Sequence, residues 1–72
     1  MKLIYTGYKE YNVDKSTVSN IFGEMLDPAD FENLMAIREG ERFLVKTTGD
    51  DYRIMLHNGL YMVRVMKKEA TQ

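Results

Sequence analysis

Seventy-two residues make one small domain, residues 1–72, of a size that buries only about 60% of its unfolded surface. The absence of cysteine excludes disulfide staples, thiolate metal sites and cysteine nucleophiles, and no run nears the ~20 apolar residues of a membrane span or forms a signal-peptide core. The net charge of −1 is unevenly spread: seven carboxylates against two cations make residues 14–41 acidic, while six cations against three carboxylates make residues 42–72 basic. These features predict a soluble, intracellular, cytoplasmic protein whose thin core is supplemented by good packing or by self-association as a homodimer.

Residues 2–6 (Lys-Leu-Ile-Tyr-Thr) are strand formers and predict a short first strand along an edge of the sheet. Residues 7–12 read as a loop. Tyr5, Tyr8 and Tyr11 recur at every third position, a spacing that suits packing over the rim of the core or a stacking or partner-binding role.

Asp14 is a favoured N-cap, with Val13 and Val18 placed as a hydrophobic staple. Val18, Ile21, Phe22, Met25 and Leu26 then mark one apolar helical stripe. A second helix follows at once, capped by Asp27, with Pro28 at its first position and Asp30 near its positive end. Leu26 and Phe31 form its staple, Phe31, Leu34 and Met35 its inner stripe with Ile37 or Arg38 at the margin, and Gly40 its C′ stop.

Residues 41–67 predict a three-stranded antiparallel meander. Asn58-Gly59 suits a type I′ turn and Gly49-Asp50 a type II′ turn. Two-residue loops at both turns put Phe43/Leu56/Tyr61, Val45/Ile54/Val63 and Thr47/Tyr52/Val65 abreast on one apolar face. The opposite face then carries Arg42/His57/Leu60, Leu44/Met55/Met62, Lys46/Arg53/Arg64 and Thr48/Asp51/Met66. Residues 66–72 have no apolar pattern and predict a frayed tail. The expected fold class is α+β in the order β-α-α-β-β-β, with two short helices packed on one face of a small antiparallel sheet.

That leaves the second face uncovered, and its composition is unlike a surface built for solvent alone. Lys46, Arg53 and Arg64 abreast oppose like charges, beside Leu44, Met55 and Met62, whose thioethers adapt to irregular partners. Arginine and methionine are enriched at protein interfaces, so these six residues form the candidate partner-binding site. An acidic protein surface, a nucleic-acid backbone or the acidic helices of a second copy would satisfy it.

Residues 11–22 (Tyr-Asn-Val-Asp-Lys-Ser-Thr-Val-Ser-Asn-Ile-Phe) resemble the turn and recognition helix of helix-turn-helix regulators, in the valine before the cap and the Ser-Thr-Val-Ser run. The resemblance implies DNA contacts from Lys15, Ser16, Thr17, Ser19 and Asn20. It spans a dozen residues, and the stretch upstream is strand-like rather than helical. A third constellation, Glu24, Asp27, Asp30, Glu32, Glu39 and Glu41, reads as helix solubility or as a thin DNA-like array of acids.

His57 beside Asn58-Gly59 is a hairpin residue; a lone histidine makes no metal site. With isolated glycines and no base-held nucleophile, no catalytic residue, metal or cofactor is predicted, nor any small-molecule substrate or membrane partner. The expectation is a non-catalytic binding protein: a small regulator or inhibitor of the kind phages and mobile elements encode. A helix-turn-helix-like DNA-binding regulator is the alternative.

Overall fold

The computed structural model describes residues 2–71, with side chains described over 8–67. Strand β1 (Lys2–Val13) is followed by helices α1 (Lys15–Met25) and α2 (Pro28–Met35), then by β2 (Arg42–Lys46), β3 (Asp50–His57) and β4 (Leu60–Thr71). The strands form one antiparallel sheet in the order β1-β4-β3-β2. This is the α+β arrangement expected from the sequence, with the helices on one face.

Both helix starts follow from their caps. Asp14 accepts the Thr17 N–H at 2.8 Å and Asp27 accepts the Asp30 N–H at 2.8 Å, each satisfying a donor that the first helical turn leaves orphaned. Of the α1 stripe, Val18 and Phe22 are fully buried and Leu26 half-buried, but Ile21 and Met25 stay exposed. The apolar stripe is wider than the strip of sheet beneath it. With Leu34 of α2, these residues close over Val45, Ile54, Tyr61 and Val63. The Phe22 and Tyr52 rings meet edge to face at 5.6 Å, the arrangement their quadrupoles favour.

Four expectations need correction. Residues 7–12 are not a loop: β1 runs on to Val13, and its second half pairs with β4 from Lys67 to Tyr61. As neighbours of β4, alternate residues of this stretch satisfy their backbone groups through the ladder, which no apolar alternation announced. Thr6 has no partner between the Tyr5 and Gly7 pairs and forms a bulge. Of the tail predicted over 66–72, residues 66–71 are strand instead, since β4 continues to Thr71 against the start of β1; Gln72 lies outside the described residues.

Helix α2 does not reach Gly40; it ends at Met35 with Ala36 as its C-cap. Residues 38–41 form their own turn, in which Glu41 Oε1 accepts the Arg38 N–H at 2.6 Å and the Glu41 N–H donates to the Arg38 carbonyl at 2.9 Å. Gly40, at φ +84°, aims its N–H at the Leu56 carbonyl, 2.7 Å away. The left-handed glycine therefore docks this turn onto β3.

The β3/β4 register is the expected one, with His57 opposite Leu60 and Ile54 opposite Val63. Asn58 and Gly59 both have positive φ, 53° and 77°, as a type I′ turn requires. The β2/β3 register differs by two residues. Thr47, not Thr48, closes the turn: its N–H donates to the Asp50 carbonyl at 3.1 Å, and its hydroxyl accepts the Asp50 and Gly49 N–H groups. Gly49 does not adopt positive φ, so the type II′ turn is absent. A threonine hydroxyl standing in for backbone is a known turn device. Because the shift is even, every β2 side chain keeps its face, but its neighbours change: Phe43 is opposite Ile54, and Val45 opposite Tyr52.

Candidate docking face

The face away from the helices is built from alternate residues of all four strands. Its rows are Arg42/Met55/Met62/Asn12, Leu44/Arg53/Arg64/Glu10 and Lys46/Asp51/Met66/Tyr8. All six predicted contact residues lie on it, yet they are not arranged as the sequence suggested. Lys46 stands opposite the buried Asp51, and Leu44 opposite Arg53, so two guanidiniums rather than three cations are abreast. The predicted Leu44/Met55/Met62 row is likewise split, with Met55 and Met62 opposite each other and Arg42 beside them.

Glu10 resolves the remaining clash. Its Oε2 accepts from Arg64 Nε at 3.0 Å and Nη2 at 2.9 Å, and the same guanidinium lies 4.7 Å from the centre of the Tyr8 ring. A carboxylate on one side and an aromatic quadrupole on the other hold Arg64 in place. Sequence reasoning missed both partners because it put them in a loop. Their signal was the polar alternation Tyr8, Glu10, Asn12, which is the outer face of a strand.

Among the described residues, Arg42, Lys46 and Arg53 make no ion pair. Arg42 and Lys46 are exposed and Arg53 is half-buried. Beside Arg42 and Arg53 lies a hollow of about 130 Å³ lined by these two and by Glu10, Met55, Met62 and Arg64. Leu44 projects beside it with 60% of its surface exposed. The face thus gathers two thioethers and three guanidiniums around one shallow hollow.

The other constellations fare differently. Lys15, Ser16 and Asn20 are exposed on α1, while Thr17 and Ser19 are half-buried. The element upstream of them is β1, so α1 is not the second helix of a helix-turn-helix pair. Of the six acids, Glu24, Asp30 and Glu32 are exposed and Asp27 serves as a cap. Glu41 holds the Arg38 amide, and Glu39 accepts the Asn58 N–H and lies 3.8 Å from His57 Nδ1. The Glu39 contacts fasten the turn before β2 to the β3/β4 hairpin.

The tyrosines separate as a strand dictates. Tyr8 is on the open face, while Tyr11 lies on the helix side next to Val63, and both stay about half exposed or more. Tyr5 lies outside the described side chains. The Asp14 carboxyl is held below its ordinary value by the Thr17 N–H and hydroxyl. Among the described residues, no group of three or more His, Asp or Glu side chains is placed to hold a metal ion, and no helix is long and apolar enough to cross a membrane. No protein-family model matches the chain, and no curated protein or solved structure matches it.

Proposed function

We propose that this chain is a non-catalytic binding protein, a small regulator or inhibitor, that docks an acidic protein surface on its open sheet face. One observation carries the reading: Met55, Met62 and Leu44 share that face with Arg42, Lys46 and Arg53, cations without carboxylate partners among the described residues. Apolar contact supplies non-directional affinity, and unneutralised cations around it select an anionic partner and speed its encounter.

The test is chemical-shift mapping of the ¹⁵N-labelled protein with poly-L-glutamate and, separately, with random duplex DNA. The expected result is a salt-sensitive response at Arg42, Arg53, Met55 and Met62 with the polypeptide, abolished by Arg42→Glu/Arg53→Glu at an unchanged melting temperature. A response confined to DNA and to residues 15–20 would overturn the proposal in favour of a nucleic-acid regulator. Sedimentation of the free protein decides the homodimer, which fails if the chain stays monomeric at high micromolar concentration.

A further inference from the structure

The sheet has a free edge whose chemistry specifies an occupant. Strand β2 is last in the sheet order, and in an antiparallel ladder alternate residues turn their N–H and C=O toward each neighbour. The bonds from the Thr47 N–H to the Asp50 carbonyl and from the Leu56 N–H to the Glu41 carbonyl show that odd-numbered residues face β3. The amides and carbonyls of Arg42, Leu44 and Lys46 therefore point off the sheet. The side chains of the same three residues stand exposed on the open face.

We infer that this edge receives an extended segment of a partner protein as an added strand, with an acid-x-apolar-x-acid pattern. It rests on the reading of an acidic protein partner and adds where that partner sits and in what conformation. An added strand places its alternate side chains beside Arg42, Leu44 and Lys46. An apolar residue opposite Leu44 and carboxylates opposite both cations give three favourable cross-strand pairs. The pattern is the same in either direction, so parallel and antiparallel addition both satisfy it.

The occupant is not a second copy. Two β2 strands meeting antiparallel about Leu44 set the Arg42 of each against the Lys46 of the other, like charges face to face. No stretch of this chain carries the acid-x-apolar-x-acid pattern either. The cations that blunt the edge toward its own kind are those that select the acidic strand.

The probe is a capped nonapeptide, Ser-Thr-Glu-Thr-Leu-Thr-Glu-Thr-Ser, with lysine replacing glutamate in its control. The glutamate peptide is expected to bind at least threefold tighter than the lysine peptide and to slow amide exchange at Arg42, Leu44 and Lys46. Arg42→Glu/Lys46→Glu should reverse the preference. Leu44→Pro removes only an outward N–H, which edge strands tolerate, and should cut affinity at least fivefold; should it fail to fold, the charge reversal decides. Equal affinity for the two peptides, or full binding by folded Leu44→Pro, would overturn strand addition. Shifts at the Met55 and Met62 methyls without amide protection on β2 would overturn it too, while leaving the docking face standing. Silence toward the peptide with a response to poly-L-glutamate has that same meaning, and silence toward both removes the two proposals together.

Discussion

The two faces of one sheet differ by a single residue step along each strand. Val45, Ile54 and Val63 point toward the helices and are at most 5% exposed. Leu44, Met55 and Met62, one place away, point to the open side and keep contact with solvent. Both sets are apolar, so hydrophobicity alone did not decide which was covered. Helix length and placement did: α1 and α2 have 11 and 8 residues, enough to roof one side. Apolar groups left outside after that are available to something else.

The sharpest way to break this contrast is to truncate one residue from each side and compare urea denaturation. Phe22→Ala, which empties the fully buried centre, should cost about 3–5 kcal/mol. Leu44→Ala should stay within about 0.5 kcal/mol, as exposed positions do. Equal costs would make the open face a second core. A smaller effect is expected at the turn that gives β3 and β4 their common register. Gly59→Ala at φ +77° should cost about 1 kcal/mol or more, measured by thermal melting.

Smaller again is the pair of Glu10 and Arg64, each about one-third exposed. A double-mutant cycle should give about 0.2–1 kcal/mol, shrinking as salt rises. Loss of coupling at all ionic strengths would mean that Tyr8, not Glu10, holds the guanidinium. The weakest effect belongs to Asp14. Its folded-state carboxyl is depressed below the ordinary 3.8 by its bonds to Thr17, so its contribution is present above that value and lost as pH falls through the lower folded one. Asp14→Asn keeps a capping side chain but should flatten this acid limb in pH-dependent melting.

How much of this was legible depended on where one residue type dictates geometry. Asn58-Gly59 is the case in favour, because positive φ at two successive positions leaves few alternatives and the β3/β4 register followed. The β2/β3 register was not legible to within two residues, since the Thr47 hydroxyl replaces a backbone turn bond and marks no special φ. The face assignments survived because the error was even. Strand β1 hid its second half: neither Tyr8, Glu10, Asn12 nor Lys9, Tyr11, Val13 makes an apolar row, as β1 lies at the margin of the helical roof. For the same reason Arg53, Met55 and Met62 were assigned to the face where the pairing puts them, while Glu10 was left off it. Lys46 was correctly faced but given the wrong neighbours.

The β3/β4 ladder ends where Asp50 meets Lys67, and past it residues 68–71 pair only with 2–5 across from them. Lys2 stands opposite Thr71 at the tip of that two-stranded arm. A load pulling those two points apart meets the ladder end-on, so its hydrogen bonds break one after another instead of sharing the strain. Tethered by these positions, the molecule unzips from the arm inward at low force, and the roofed half of the sheet is the last to yield.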